Sequence, residues 1–200
     1  MLVVFFLSHL EHKVFLFLKK ISSIKKRFTL SARKKTLGEK IEIFNDYAFL
    51  PLQVSSDSQL LLNSDVDNIS AIKISMDYCN EKKLELLIKI HPAESDGKKI
   101  EEYTLMSKVY GFRLVTNNTF ELIKNAKIVI TINSTVGLES KMFNIDTLFL
   151  GRSFYDKLNG DLLEDYIQRY LFDADYFGEN IIDFNLIKKH YNHIKKISKG

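Results

Sequence analysis

The sequence has no tryptophan, a single cysteine and two prolines among 200 residues. With Cys79 alone, the chain cannot form an internal disulfide, which fits a reducing compartment. Only eight glycines are present, and the chain contains no Walker A loop, G-x-G-x-x-G or G-x-S-x-G motif. A Ser–His–Asp hydrolase therefore has no nucleophile elbow to support it.

Long hydrophobic runs are also missing. His9, Glu11, His12 and Lys13 interrupt the apolar N-terminal stretch, so a membrane-spanning helix is not expected there. The positive charge follows this stretch, whereas in a signal peptide it comes first. Residues 1–40 carry ten Lys and Arg against two Glu, a net charge of +8, and the other residues carry 19 basic against 23 acidic side chains, a net charge of −4.

We interpret residues 1–40 as a basic N-terminal segment. It is either a solvated helix or the remnant of a missing N-terminal domain, with an amphipathic helix on an anionic membrane as the alternative. The chain as a whole, with 46% hydrophobic and 27% charged residues, is typical of a soluble globular protein with one sizeable domain.

Strand and helix patterns alternate from residue 41 onward. This order predicts an α/β fold: a Rossmann-like, mostly parallel sheet over residues 41–160 with helices on both faces. A helical extension over residues 161–200 is expected to follow. Residues 41–52 are predicted to form one or two strands, and the other predicted strands are 84–90, 112–115, 128–132 and 147–150. The predicted helices are 66–82, 100–110, 120–125, 136–143, 161–171 and 179–198.

The most informative stretch is residues 126–151, where a buried strand breaks into the turn Asn133, Ser134 and Thr135 before a helix. A helix N-terminus after a parallel strand can bind phosphate through its backbone N–H groups and dipole. Gly137 allows close approach in the first turn, and Glu139 is one turn further on, within reach of a ribose or base. An ordinary N-cap on a core helix explains the same residues equally well.

Two other strand ends carry polar residues, Gln53 to Asp57 and His91-Pro92. In a parallel sheet these ends share one edge with Asn133, which favours a common site. The proline holds His91 extended, so its imidazole could donate to a phosphate. Asp57 could act as a base or nucleophile, with Gln53 orienting it or contacting a sugar. Taken singly, each residue has a structural alternative, such as a cap or turn for Asp57.

The pairs His9/His12 and His190/His193 have helical spacing but lack the carboxylate or cysteine partners that would complete a metal site. They are better explained as solvated helix faces than as metal ligands.

Three segments together resemble a known family: LPLQVSSD (residues 50–57), IKIHP (88–92) and TINSTVGLES with LFLGRSFYD (131–140 and 148–156). Their order and spacing are similar to those of the capsule polysaccharide biosynthesis protein family, which includes bacterial β-Kdo glycosyltransferases. The resemblance implies one half of a GT-B-type enzyme, a CMP-Kdo donor and a lipid-linked saccharide acceptor at the cytoplasmic membrane.

The resemblance also implies roles for the site residues. His91, Ser134 and Thr135 would hold the CMP phosphate within the stretch from Asn133 to Gly137, and Glu139 would contact ribose or cytosine.

By the same resemblance, Asp57 would be the catalytic carboxylate with Gln53 beside it. A carboxylate nucleophile agrees with the retaining chemistry of related Kdo transferases. No metal or other cofactor is expected, since protein donors replace a metal at the phosphate.

A full GT-B enzyme needs an N-terminal half that residues 1–40 cannot supply. We therefore expect the nucleotide-sugar-binding half of a capsule glycosyltransferase, in the cytoplasm and in peripheral contact with the inner membrane or the capsule export machinery. One alternative is a non-catalytic capsule assembly protein that keeps the fold. Another, based on the basic N-terminal segment, is a membrane- or nucleic-acid-binding module; in the favoured interpretation nucleic acid is not a partner.

Overall fold

The computed structural model describes residues 38–43, 46–171 and 183–197. Described residues up to Lys157 form one compact unit, and those from Leu158 onward belong to a second. The helical and strand elements of the first unit are β1 (Tyr47–Pro51), α1 (Ser58–Asn63), α2 (Asn68–Lys82), β2 (Glu85–Lys89), α3 (Gly97–Tyr110), β3 (Arg113–Leu114), α4 (Thr119–Asn125), β4 (Ile128–Thr131), α5 (Thr135–Met142), β5 (Asp146–Phe149) and a 3₁₀ turn (Phe154–Lys157).

The five strands form one parallel sheet in the order β3-β2-β1-β4-β5. Both faces of the sheet are buried. Ala48 and Leu50 of β1 pack into one apolar cluster, and Tyr47 and Phe49 pack into the other. Burial on two faces requires continuous apolar strands, which is the pattern that the sequence shows. The predicted Rossmann-like fold with helices on both faces is confirmed.

Residues at the helix ends account for where the helices start and stop. The Asp67 carboxylate accepts from the backbone N–H of Ser70 and caps α2, and the Asn118 side chain accepts from Phe120 N–H and caps α4. Gly111 follows α3 with φ at 81°, a left-handed conformation that glycine adopts at low cost.

Two details of the expected pattern were wrong. Residues 58–63 form the short helix α1 after a cap at Asp57, where no helix was expected. Helix α3 begins at Gly97, before the predicted start at residue 100, because the Asp96 carboxylate accepts from the N–H groups of Lys98 and Lys99. The expected basic segment lies largely outside the described residues.

The second unit contributes three described elements: α6 (Asp161–Asp165), a π-helical turn (Tyr166–Tyr170) and α7 (Phe184–Ile197). The expected helix over 161–171 therefore changes type after Asp165. The expected start of the last helix, at 179, lies outside the described residues. Among the helices that the structure describes, none has the length and apolar character needed to cross a membrane.

Gly137 has a packing role in α5. A Cβ atom at this position would lie 2.4 Å from ring carbons of Phe149 and 2.9 Å from Cγ2 of Thr131. Both distances are shorter than any ordinary carbon contact, so a side chain here would push α5 away from the sheet. The groups that lie close to Gly137 are therefore side chains of β4 and β5.

We expect Gly137→Ala to lower the free energy of unfolding by about 1–3 kcal/mol, because the added methyl overpacks the α5–sheet contact. Gly97→Ala is the matched control, since a Cβ there meets nothing within 4 Å. The control should be neutral or stabilising by up to about 1 kcal/mol. Urea unfolding measures both changes; equal effects of the two variants would contradict the packing role.

Candidate functional site

The strand order reverses between β1 and β4, the neighbouring strands at the centre of the sheet. In open parallel sheets, ligands bind outside the carboxyl ends of strands at this switch point. Gln53 follows β1 and Asn133 follows β4. Nε2 of Gln53 donates to Oδ1 of Asn133 at 2.9 Å, and the backbone N–H of Asn133 donates to Oε1 of Gln53 at 3.2 Å. These two bonds join the two central strand ends.

The same pair is anchored on both sides. Nδ2 of Asn133 donates to the carbonyl of Gln59 in α1 at 2.9 Å. The backbone of Gln53 exchanges two hydrogen bonds with the side chain of Asn68, at 3.2 and 2.8 Å, and Asn68 also donates to the hydroxyl of Tyr103. Gln53, Asn68 and Tyr103 are all buried. The network fixes the backbone after β1 against α2 and α3.

Asp57 is the N-cap of α1. Its Oδ1 accepts from the backbone N–H of Gln59 at 2.8 Å, and its backbone N–H donates to the carbonyl of Val54. The side chain is half-buried. The cap thus holds the carboxylate in one orientation at the β1 edge, as the structural alternative for Asp57 anticipated. The Gln53 amide donates to Asn133 and not to this carboxylate. The expected role of Gln53 beside Asp57 therefore stays a prediction.

His91 lies beyond the end of β2, in a turn closed by the bond from Glu94 N–H to its carbonyl. Its Nδ1 accepts from the backbone N–H of Ala93 at 3.1 Å, so the neutral ring carries its proton on Nε2. Burial lowers the pKa of His91 below its ordinary value of 6.5, against the opposing fields of Asp57 and Glu94. The neutral imidazole, with an Nε2–H donor, is therefore the form favoured near pH 7.

Glu94 is a site residue that the sequence did not predict. Its carboxylate accepts three backbone N–H groups, from Ser55 at 2.7 Å and from Ser95 and Asp96 at 2.9 Å each. The side chain is 7% exposed. Burial raises the pKa of Glu94, but these hydrogen bonds outweigh it and leave the pKa below its ordinary value. An ionised Glu94 thus ties the loop after β1 to the loop after β2.

The N-terminus of α5 occupies the edge after β4. Ser134 is its N-cap, with Oγ accepting from Val136 N–H at 3.2 Å. Thr135, the first helical residue, is exposed. The start of a helix presents backbone N–H groups and the positive end of the dipole to an anion. The arrangement suits a phosphate, and the same cap also starts an ordinary core helix.

The side chain of Glu139 is buried, whereas a contact with a ribose or base requires an accessible carboxylate. Glu139 lies in the second turn of α5, and its side chain is 4% exposed, among the helix residues that pack toward the sheet. Its expected contact with a nucleotide stays a prediction.

A cleft of about 390 Å³ opens next to the β1 loop. It is bounded by α1, the first turn of α2 and α3, and it includes Ser55, Lys99 and Tyr103. None of the predicted site residues lines it. In the described part of the chain, no group of three or more His, Cys, Asp or Glu side chains is placed to hold a metal ion.

Curated relatives match part of this chain. Protein FixF of Sinorhizobium fredii is 32% identical over 123 residues, which cover 58% of this chain and 29% of FixF. The capsule polysaccharide export protein KpsS of Escherichia coli is 32% identical over 126 residues, covering 58% of this chain and 32% of KpsS. The matched segment thus spans about a third of each relative.

The fold is similar to that of a solved Kdo transferase. KpsC of Thermosulfurimonas dismutans, a β-Kdo 2,7 transferase, superimposes with a TM-score of 0.51 and 15% identity, over 88% of this chain and 61% of KpsC. The sequence model for capsule polysaccharide biosynthesis proteins matches residues 6–160. This match confirms the resemblance predicted from the three motifs: the chain belongs to the capsule polysaccharide biosynthesis protein family.

Proposed function

We propose that this chain is the nucleotide-sugar-binding half of a capsule glycosyltransferase, with CMP-Kdo as the donor. The observation that carries the proposal is the connected edge of the sheet. Hydrogen bonds join the ends of β1 and β4 through Gln53 and Asn133, and join the loops after β1 and β2 through Glu94 and Ser55. Asp57, His91 and the start of α5 all belong to loops at this edge.

The phosphate of the donor would bind between His91 and α5. The neutral imidazole offers Nε2–H, and the helix start offers backbone N–H groups with the Thr135 hydroxyl. A helix N-terminus binds an anion through its backbone N–H groups and its partial positive charge, so a cationic side chain is not required. These donors would bind the phosphate without a metal. Glu139 would contact the ribose or cytosine, and this contact requires its buried side chain to become accessible to the nucleotide.

Asp57 would act as the catalytic carboxylate. Its oxygen would attack the anomeric carbon of Kdo, the bond to the CMP phosphate oxygen would break, and CMP would leave. The acceptor hydroxyl would then displace Asp57 and release its proton, so that two inversions retain the configuration. In this scheme Gln53 is a positioning residue, because its amide fixes the β1 and β4 loops.

The acceptor would be a lipid-linked saccharide. Such an acceptor would place the reaction at the cytoplasmic face of the inner membrane, near the capsule export machinery. The proposal includes no nucleic-acid partner. KpsS is named as a capsule export protein and KpsC as a Kdo transferase, and both names agree with this setting.

We expect His91→Ala to weaken CMP binding about 10- to 100-fold, because it removes one hydrogen bond to a charged phosphate. Isothermal titration of CMP against both proteins measures the change. Cytidine, which lacks the phosphate, is the matched ligand and should show no difference between them. In NMR titrations the imidazole of the free protein should have a pKa below 6.5, and CMP should raise this pKa.

The sign follows from charge: a bound phosphate stabilises the protonated ring, so the pKa of His91 rises and CMP binding strengthens as the pH falls toward it. A wild-type protein that binds no CMP, or equal CMP affinities in wild type and His91→Ala, would contradict the proposed donor site.

A non-catalytic capsule assembly protein with the same fold is the second candidate. It is favoured by the engagement of the Asp57 carboxylate as a helix cap and by the pairing of Gln53 with Asn133 instead of Asp57. In that case the edge of the sheet binds a nucleotide without turnover.

Asp57→Asn separates the two candidates, because asparagine keeps the N-cap but cannot act as a nucleophile. We expect unchanged stability and CMP affinity, with Kdo transfer reduced by about a thousandfold or more. The assay follows Kdo transfer to a lipid-linked acceptor, with an N-terminal half from a family member added. Asp57→Ala is the cap control and should cost about 1 kcal/mol in unfolding free energy.

If Asp57→Asn transferred Kdo at the wild-type rate, Asp57 would not be the catalytic carboxylate. A wild-type chain that binds CMP but transfers nothing, even with the N-terminal half present, would establish the second candidate.

A further inference from the structure

Helix α7 has an apolar stripe that solvent reaches. Phe184, Ile187 and Tyr191 are 73%, 47% and 62% exposed, and Ile194 follows at the same spacing. At 3.6 residues per turn these four side chains fall within about 80° of the helix circumference. An exposed, contiguous apolar stripe of this kind indicates a surface that contacts an apolar environment.

The charge of α7 has a single sign. Its 14 residues include four lysines and no Asp or Glu. Lys188 and Lys195 directly border the apolar stripe, and the Lys195 ammonium lies 5.9 Å from the centre of the Tyr191 ring. Lys189 and Lys196 project from the opposite side. The Asp183 carboxylate accepts from Asn185 N–H and starts the helix.

We propose that α7 binds the surface of an anionic lipid bilayer. Apolar side chains would enter the boundary between headgroups and acyl chains, while the bordering lysines contact the phosphates. The charge decides between occupants: a second copy of α7 would bring its own Lys188 and Lys195 to the same face as this pair, whereas an anionic surface neutralises them. The proposal is independent of the nucleotide donor, since it involves none of the residues of the sheet edge.

The test is co-sedimentation of the full chain with vesicles of equal parts phosphatidylcholine and phosphatidylglycerol, and with pure phosphatidylcholine vesicles. We expect binding to the anionic vesicles that weakens with added salt. Lys188→Gln/Lys195→Gln should lower the affinity about fivefold for each lysine. Phe184→Ser/Tyr191→Ser should lower it at least tenfold by removing the inserted side chains.

Lys73→Gln/Lys98→Gln is the matched control. It makes the same charge change at exposed positions on α2 and α3, and it should bind within twofold of wild type. This comparison also separates α7 from the basic residues 1–40, which all variants retain. Circular dichroism and urea unfolding verify that each variant is folded.

Three outcomes would overturn the proposal. One is a wild-type chain that does not bind the anionic vesicles. Another is an α7 lysine variant that binds as well as its control. The third is a Phe184→Ser/Tyr191→Ser variant that keeps its vesicle affinity but changes the oligomeric state in light scattering, which would make the stripe an interface between copies.

Discussion

The reciprocal hydrogen bonds between Gln53 and Asn133 are the interaction on which the site depends. Parallel strands that leave the sheet toward opposite faces open a crevice between their ends, and here that crevice lies between β1 and β4. The two amides span it at 2.9 and 3.2 Å. The Gln53 backbone is also bonded to Asn68 of α2, and the Asn133 side chain is bonded to the carbonyl of Gln59 in α1. Because of these bonds, the positions of Asp57 and of the α5 N-terminus follow from this pair.

Much of the fold could be predicted because its signals are local. Alternating strand and helix patterns predicted the sheet, and the helix ends depend on local capping chemistry at Asp67, Gly111, Asn118 and Ser134. Each of these residues satisfies backbone groups within a few positions of itself. The family could be predicted as well, since its three motifs are short and keep their order along the chain.

Long-range partners could not be predicted from local patterns. Gln53 pairs with a residue 80 positions away, and Glu94 resembles a solvated loop residue until its three backbone donors are known. Helix α1 has exposed leucines at Leu61 and Leu62, so it lacks the apolar stripe by which helices are recognised. For Gly137 the close approach was predicted, but the structure shows that the neighbour is Phe149.

A double-mutant cycle on Gln53 and Asn133 tests the central claim most directly. Urea unfolding of Gln53→Ala, Asn133→Ala and the double variant gives the coupling free energy of the pair. If the pair joins the two strand ends, the coupling is about 1 kcal/mol, as expected for the one neutral hydrogen bond between the two side chains. The bond from the Asn133 backbone N–H remains in Asn133→Ala and does not enter the coupling. Additive effects, with a coupling below about 0.3 kcal/mol, would contradict the account, because the two loops would then be held independently.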